Sequence, residues 1–317
     1  MEMMNRCLYC YGPIEEGLDF HEKCSLAFFG TSTPPLIEYS LDQMDELARN
    51  VVERSVTVPG VQPKLSVSLV REARENAGAR LTVVGALGGQ YILKPPTEQF
   101  PEMPQNEHVT MRIAEKFGIR VVTSSLIRLS SGELSYITKR IDRTTTGEKV
   151  HMIDMFQVTE AFEKYRSSIE QVGKAMGDYS SNTLLDKVFF FELVLFSFLT
   201  GNNDMHLKNF SMIKNAYGWV LAPAYDLLNV AVVLPEDKEE LALTLAGKRR
   251  KLKRKHFEQL GKELALTDKQ VKGVFQRMEK NKQNAFDLID RSFLSNKVKK
   301  KYKEVLDLRY EQVGMQK

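Results

Sequence analysis

The feature that most constrains this chain is a long apolar segment that leads directly into a polar loop. Residues 184–199 (LLDKVFFFELVLFSFL) form an almost unbroken apolar run, which predicts a buried helix. Gly201 follows this run, and glycine often ends a helix because it adopts the left-handed conformation at little steric cost. Asp186 and Lys187 interrupt the apolar run, so a membrane span is not expected. Such a helix would deliver the loop GNNDMHLKNFS to a fixed position.

The polar loop carries Asp204 and Asn209, and Asp226 follows a little later in the chain. Two short strand-like runs, 210–213 and 219–221, predict a hairpin that would bring Asp226 back beside the loop. In phosphoryl transfer an aspartate accepts the proton of a hydroxyl nucleophile, while amide and carboxylate oxygens bind Mg²⁺. The spacing D-x4-N is that of the protein-kinase catalytic loop. A solvated turn rich in Asn and Asp is the alternative interpretation.

Length and composition indicate an ordinary globular protein with room for two cores. The chain has 317 residues, of which 43% are hydrophobic and 27% are charged. Its net charge of +4 is too small to indicate direct nucleic-acid binding. The N-terminus lacks a basic-then-apolar signal sequence, so we expect a cytoplasmic location without membrane association.

All cysteines of the chain lie within its first 24 residues, close to a histidine. Cys7, Cys10, His21 and Cys24 have the two-residue gaps with which a chain grips one tetrahedral ion, so they form a candidate structural Zn²⁺ site. An odd number of cysteines argues against a disulfide framework. Small buried thiols beside a surface histidine are the alternative.

A glycine-containing loop and a lysine on an apolar strand are candidates for nucleotide binding. Gly60 lies between prolines in SVTVPGVQPKLS, and a glycine lets backbone amides approach phosphate oxygens. A simple hairpin turn is the alternative. Lys94 ends an apolar strand, where its burial is costly unless it faces an anion. Glu107, in a predicted helix, could pair with Lys94, although both could equally be surface groups.

Strands are further predicted at 65–70, at the start and the end of LTVVGALGGQYILKPP, in RVVTSSLIRL and in LSYITKRID. From His151 the pattern becomes helical up to the polar loop, so a lobe boundary belongs near 140–145. Seven basic residues within 248–255 are typical of a solvated face, with a docking site for acidic protein or nucleic acid as the alternative. The segment 256–313 predicts two or three helices.

Taken in order, several motifs resemble the HipA-type serine/threonine kinases, the toxins of bacterial toxin–antitoxin modules. The matching motifs are SVTVPGVQPKLS, YILKPP, QNE, KRIDR, GNNDMHLKNFS, LAPAYD and LTLAGKRRKL. The resemblance begins after about residue 37 and implies an α+β, bilobal protein-kinase-like fold, with a small β-rich N-lobe and a larger, mainly α-helical C-lobe. We therefore predict a Cys/His segment at 1–36, the N-lobe at 37–143 and the C-lobe at 144–317.

The resemblance implies a role for each matching residue. Asp204 would be the catalytic base, and His206 and Lys208 would stabilise the transferred charge. Asn209 and Asp226 would hold Mg²⁺. Lys94, oriented by Glu107, would bind the phosphates of ATP under a loop that contains Val58, Gly60, Val61 and Gln62. The adenine would contact the backbone of Lys139, Arg140 and Ile141. Asp142 would be free to bind a ribose hydroxyl.

The resemblance also implies regulation and partners. In HipA-type kinases a serine three residues before the loop glycine is autophosphorylated, which ejects the loop and inactivates the enzyme. Thr57 holds that position here and Ser55 precedes it, so either hydroxyl could be the acceptor. The β-rich N-terminal subdomain of the full-length toxin has no counterpart, so the chain looks like the shorter HipT-type kinases, in which a separate small antitoxin protein replaces it.

A DNA-binding antitoxin would be a second partner, and the substrate would be a cytosolic protein such as an aminoacyl-tRNA synthetase. Two other functions stay open. One is a kinase-like binding module that engages antitoxin and DNA with little catalysis, although the intact Asp204, Asn209 and Asp226 argue against it. The other is a kinase for small molecules or lipids.

Overall fold

The structure is a computed structural model that describes residues 5–44, 46–47, 64–70, 79–84, 88–144 and 146–315. The chain divides into two compact units. The first comprises residues 1–108, 122–148 and 291–293, and the second comprises 109–121, 149–290 and 294–317. The predicted boundaries at 36 and 143 stay predictions.

The first unit is built on an antiparallel sheet with the strand order β2-β1-β3-β5-β4. These strands are β1 (Leu65–Val70), β2 (Arg80–Val84), β3 (Tyr91–Lys94), β4 (Ser124–Arg128) and β5 (Leu134–Lys139). The strands predicted in this region are confirmed, and each of them contributes apolar residues to one core. The central strand β3 lies between β1 and β5, and Lys94 at its end is opposite Tyr136.

One apolar core joins the N-terminal segment to this sheet. The segment contains α1 (Glu22–Phe29) and buries Leu8 and Phe28 against Leu93 and Ile137 of the sheet. Sheet and segment thus exclude water from a common set of side chains, which favours their folding together. The predicted helix around Glu107 is also present as α2 (Met103–Lys116), which passes from the first unit into the second after His108.

The second unit is mainly helical. Its helices are α3 (Met155–Val158), α4 (Ile169–Tyr179), α5 (Thr183–Leu199), α6 (Val230–Val233), α7 (Arg254–Glu263), α8 (Asp268–Lys280), α9 (Lys282–Arg291, whose last residue belongs to the first unit) and α10 (Asn296–Gln312). A small antiparallel sheet contains β6 (Met152–Asp154), β7 (Ser211–Asn215) and β8 (Gly218–Leu221). Across the described ranges, no helix combines the length and the apolar character that crossing a membrane requires.

Two predictions for this unit are wrong in part. Helical structure does not continue from His151 to the polar loop, because Asp154 caps a helix of one turn and Glu160 adopts a φ of +50° soon after it. The segment 256–313 lies in α7 to α10 rather than in two or three helices. Thr267 and Ser295 accept hydrogen bonds from the first turns of α8 and α10, so each starts a separate helix.

The predicted apolar helix is confirmed as α5, and it positions the polar loop. Asp186, near its start, is buried and accepts hydrogen bonds from the Ser180 hydroxyl and the Leu221 amide, both at 2.7 Å. These bonds tie α5 to β8. Gly201 ends the helix region with a φ of +69°, and a Cβ there would lie 2.9 Å from Oδ1 of Asn229. The chain therefore turns sharply where only glycine fits.

Candidate active site

The loop after α5 is closed by hydrogen bonds to the backbone of Asp204. The side-chain amide of Asn209 donates a 2.9 Å hydrogen bond to the carbonyl oxygen of Asp204. Oδ1 of Asn202 accepts a 3.3 Å hydrogen bond from the Asp204 amide. A single 3-10 turn, Leu207–Asn209, ends at Asn209, shortly before β7. The D-x4-N spacing therefore produces a ring in which Asn209 fixes Asp204.

Asp226 follows β8, and its negative charge, like that of Asp204, influences the pKa of His206. Burial lowers the pKa of His206, and the negative charges of Asp204 and Asp226 oppose that shift. Nδ1 of His206 is buried and has no hydrogen-bond partner in the described part of the chain. Asp226 has a φ of +55°, which is uncommon outside glycine and is found at functional sites. The charges of both aspartates thus lie within electrostatic reach of His206.

Tyr225 fastens the chain before Asp226 to the loop. Its hydroxyl donates a 2.9 Å hydrogen bond to the carbonyl oxygen of Lys208 and lies 2.6 Å from the Ser211 hydroxyl. Lys208 itself is exposed, and its Nζ lies 4.8 Å from the centroid of the Phe156 ring. The predicted hairpin therefore carries the second aspartate back to the loop, as its sequence indicates.

Tyr165 is a site residue that the sequence motifs do not reveal. Its hydroxyl donates a 2.7 Å hydrogen bond to Oδ1 of Asp204, and its ring packs edge-on at 5.1 Å from that of His206. Burial, together with the nearby Asp204 carboxylate, raises the pKa of Tyr165, so the hydroxyl stays a donor. No local signal marks this tyrosine, because it lies in an irregular segment far from the loop in sequence.

The basic run at 248–255 is only partly a solvated face. Arg249 donates a hydrogen bond to the carbonyl oxygen of Tyr165 and forms a 3.3 Å ion pair with Glu239. It thereby holds the segment that carries the Tyr165 hydroxyl. Several other basic residues of the run are exposed, namely Lys248, Arg250, Lys251, Lys253 and Lys255.

In the first unit, Lys94 and Glu107 form a buried ion pair. Nζ of Lys94 lies 2.5 Å from Oε1 of Glu107, and the two side chains are 4% and 2% exposed. The ammonium also lies 5.1 Å from the centroid of the Tyr136 ring. Burying two charges costs free energy that their attraction does not fully return, so such a pair is a weak source of stability. Its presence on a central strand favours a functional role.

Asp142 is not free, contrary to expectation. Arg140 donates to both of its carboxylate oxygens, at 2.9 and 2.7 Å, and Arg143 donates to one of them at 2.8 Å. The bond from Arg140 lowers the pKa of Asp142. The guanidinium of Arg140 also donates to the Gly88 carbonyl at 3.0 Å, which ties this acid to the end of the sheet.

The predicted adenine segment is already engaged in backbone pairing. The amide of Lys139 donates to the carbonyl of Thr123, and the amide of Arg140 donates to that of Gln90. An adenine contact at these two residues would therefore use other backbone atoms, and Ile141 follows them. The residues predicted for the covering loop and for autophosphorylation lie outside the described residues: Ser55, Thr57, Val58, Gly60, Val61 and Gln62.

The Cys/His segment gathers its predicted ligands at one point of the first unit. The Sγ atoms of Cys7, Cys10 and Cys24 and a ring nitrogen of His21 all lie within 4.8 Å of one another. None of the cysteines is in a disulfide. A hydrogen bond from Cys10 lowers the pKa of Cys7 to about 4.

These elements place the molecule in the class of α+β proteins with a kinase-like fold. One chain of the structure of the Shewanella oneidensis HipA, HipB and operator DNA complex superposes on it with a TM-score of 0.66, at 21% identity, over 81% of this chain and 65% of that one. The Helicobacter pylori proinflammatory kinase CtkA superposes with a TM-score of 0.51, at 17% identity, over 70% of this chain and 87% of that one. At these identities the likeness shows the fold alone.

The chain belongs to the HipA-like C-terminal domain family, whose model matches residues 56–286. A Sinorhizobium fredii protein named "Putative kinase Y4dM" is 32% identical over 231 residues, which cover 68% of this chain and 55% of that protein. The "Serine/threonine-protein kinase toxin HipA" of Shewanella oneidensis is 28% identical over 211 residues, which cover 60% of this chain and 46% of that protein. The chain spans about half the length of the curated relatives it matches.

Proposed function

We propose that this protein is an ATP- and Mg²⁺-dependent serine/threonine protein kinase. The observation that carries the proposal is the loop that Asn209 closes on Asp204, to which the Tyr225 hydroxyl bonds the chain directly before Asp226. Asp204 would accept the proton of a serine or threonine hydroxyl. The hydroxyl oxygen would form a bond to the γ-phosphorus of ATP as the bond to the ADP oxygen breaks.

The residues of the loop suit a hard divalent cation. Nδ2 of Asn209 is committed to the Asp204 carbonyl, which leaves its amide oxygen for a metal, and Asp226 offers carboxylate oxygens. Mg²⁺ bound there would neutralise phosphate charge. His206, with its partnerless buried Nδ1 in the described part of the chain, and Lys208 would stabilise charge on the transferred group.

The buried ion pair supports the nucleotide-binding part of the proposal. Glu107 orients the ammonium of Lys94, and this ammonium would bind a phosphate of ATP. The loop from Val58 to Gln62 would cover the phosphates, and the segment 139–141 would meet adenine. Asp142, oriented by two arginines, would bind ribose through the lone pair that they leave unused on Oδ1.

The names of relatives supply the cellular part of the proposal. One relative is named a serine/threonine-protein kinase toxin, and one structural neighbour is in complex with HipB and operator DNA. By this likeness, the chain would be a toxin of a type II toxin–antitoxin system in the bacterial cytoplasm, bound by a small antitoxin protein and by a DNA-binding antitoxin. Its target would be a cytosolic protein such as an aminoacyl-tRNA synthetase.

A kinase-like binding module with little turnover is the second candidate. It is favoured by the Tyr165 hydroxyl, which occupies Oδ1 of Asp204, the group that catalysis needs. Transfer of radiolabel from ATP in a lysate tests both candidates. Label on protein supports the kinase, and absence of label supports the binding module. Label confined to the organic extract would indicate a lipid kinase and would contradict our proposal.

Variants of the loop sharpen this test. We expect Asp204→Ala and Asp226→Ala each to lower protein labelling by about 10²- to 10⁴-fold and to abolish growth inhibition. Asp178→Asn is the matched control, because Asp178 is an exposed acid of the same unit. Growth inhibition that persists in both alanine variants would refute catalysis as its cause.

Autophosphorylation is tested separately by mass spectrometry of the purified protein. We expect phosphate on Thr57 or Ser55 in the wild type, and none in the double variant Thr57→Ala/Ser55→Ala. Phosphate found elsewhere in the chain would contradict the assignment of these two hydroxyls, while leaving the kinase proposal intact.

A further inference from the structure

The N-terminal segment places its thiols and one imidazole around a single point. Nδ1 of His21 lies 3.4 Å from Sγ of Cys10 and 3.6 Å from Sγ of Cys24. A tetrahedral Zn²⁺ with bonds of about 2.0–2.3 Å places its ligand atoms about 3.3–3.8 Å apart. Cys7 and Cys24 are buried, so such an ion would be shielded from water. We propose that Cys7, Cys10, His21 and Cys24 bind a structural Zn²⁺ that is integral to the fold of the first unit.

The surroundings of the histidine are those of a metal ligand. Nε2 of His21 donates a 2.9 Å hydrogen bond to the carbonyl oxygen of Pro13, which leaves the lone pair on Nδ1, the nitrogen that faces the sulfurs. Most histidine ligands donate such a hydrogen bond from the ring nitrogen that does not bind the metal, and this bond fixes their orientation and tautomer. The Gly12 amide donates at 3.4 Å to Sγ of Cys10, which would offset part of the thiolate charge.

The backbone between the ligands is held in an unfavourable conformation. Tyr11, directly after Cys10, has a φ of +63°, which is costly for a bulky residue. Its hydroxyl is hydrogen-bonded to Nδ1 of His108 at 2.8 Å, and this bond helps to hold the tyrosine in this conformation. A Cβ on Gly12 would lie 3.3 Å from both Cys10 Sγ and His21 Cε1, so the turn is closed tightly around the ligands. Such strain persists where the fold needs a defined geometry.

The same segment is bonded to the sheet of the first unit. The Leu126 amide of β4 donates a 3.3 Å hydrogen bond to the Leu8 carbonyl, and Leu8 lies between two proposed ligands. The guanidinium of Arg128 binds both carboxylate oxygens of Asp19, at 2.8 and 3.0 Å. Loss of the ion would therefore loosen the turn on which this edge of the sheet and its apolar core depend.

Metal analysis of the full chain, purified without chelator, tests the proposal directly. We expect one zinc per chain. Protein without bound metal, or with iron in its place, would overturn the assignment. In protein loaded with Co²⁺ we expect the visible absorption of a tetrahedral, thiolate-rich site, and an octahedral spectrum would count against it.

Variants separate a metal site from a cluster of buried thiols. We expect Cys10→Ala/Cys24→Ala to lose zinc and His21→Cys to keep it, because a thiolate can replace the imidazole. His21→Cys should also shift the Co²⁺ spectrum. Lys23→Ala is the matched control, since Lys23 is exposed between two proposed ligands, and it should keep its zinc. Zinc retained by the double alanine variant would place the ion elsewhere.

Thermal unfolding tests whether the ion is structural. We expect a strong chelator to lower the melting temperature by about 5 °C or more, and added Zn²⁺ but not Mg²⁺ to restore it. An unchanged melting temperature after complete removal of zinc would refute the structural role. Neither measurement depends on ATP, so failure here would leave the kinase proposal untouched.

Discussion

The hydroxyl of Tyr165 is hydrogen-bonded to Oδ1 of Asp204 at 2.7 Å, across 39 residues of sequence. The backbone of the same tyrosine is held by Arg249, and its ring packs against His206. The predicted catalytic base is therefore oriented by a residue outside its own loop. The bond fixes one carboxylate oxygen, so a substrate hydroxyl would be met by the other.

We expect Tyr165→Phe to lower kcat by about 10-fold or more with little change in KM. The variant keeps the ring but removes a hydrogen bond to a charged group, which is worth about 1.5–3 kcal/mol, and Asp204 would then sample unproductive orientations. Steady-state phosphorylation of a protein substrate measures both constants. Tyr217→Phe, at an exposed tyrosine, is the control. A rise in kcat would mean instead that Tyr165 blocks the base.

The buried pair of Lys94 and Glu107 predicts a stability loss that a compensating change repairs. Lys94→Met leaves the charge of Glu107 buried without its lysine, so we expect the free energy of unfolding to fall by about 3–5 kcal/mol. The double variant Lys94→Met/Glu107→Leu should recover most of this loss, because both charges are gone. Chemical denaturation measures these values.

The same variants separate stability from function. We expect ATP binding, measured by calorimetry, to be lost in both the single and the double variant, since each lacks the ammonium. If the stable double variant still bound ATP with wild-type affinity, Lys94 would be a structural residue only.

We expect replacement of Gly201 by alanine to have a steric cost, which the same replacement at Gly247 serves to separate from backbone strain. Gly201 and Gly247 have φ angles of +69° and +71°, so alanine at either suffers similar backbone strain of about 1–2 kcal/mol. At Gly201 the new Cβ would also lie 2.8 Å from Val305 Cγ1, whereas nothing lies within 4 Å at Gly247. We expect Gly201→Ala to cost about 1–3 kcal/mol more than Gly247→Ala in the free energy of unfolding. Equal costs would show that the loop shifts freely.

His256 predicts a loss of stability on mild acidification. Burial and the charges of Lys255, Lys248 and Lys253 lower its pKa, and its Nδ1 accepts a 2.9 Å hydrogen bond from the Lys253 amide at the start of α7. An unfolded histidine has a pKa of about 6.5, so below that pH the unfolded chain binds more protons and the fold loses stability as pH falls.

We expect His256→Gln to lose less stability than the wild type between about pH 7.5 and about pH 5.5, because glutamine at this position still caps the helix but does not titrate. Denaturation at the two pH values gives the difference, and His151→Gln, at an exposed histidine, should behave as the wild type does. An identical pH dependence in His256→Gln would exclude this residue as the cause.

The sequence by itself determined the parts of this protein that depend on local, periodic signals. The strands of the first unit, the apolar helix α5 and the hairpin before Asp226 all follow from the alternation or continuity of apolar residues and from glycine at the turns. The D-x4-N spacing indicated the loop, since its closing bond spans only five residues. The end of the short helix α3 was not predictable, because the left-handed φ of +50° at Glu160 interrupts a sequence whose pattern continues as helical.

Only the tertiary structure decided which distant groups meet. Tyr165 reaches Asp204, and Arg249 reaches Tyr165 across 84 residues, because helices and loops of the second unit pack in one arrangement that no local pattern records. The Arg140 guanidinium, which binds the Asp142 carboxylate close to it in sequence, likewise reaches Oγ of Ser66 across 74 residues. Burial and long-range pairing set the electrostatics of the site, and both arise only once the chain has folded.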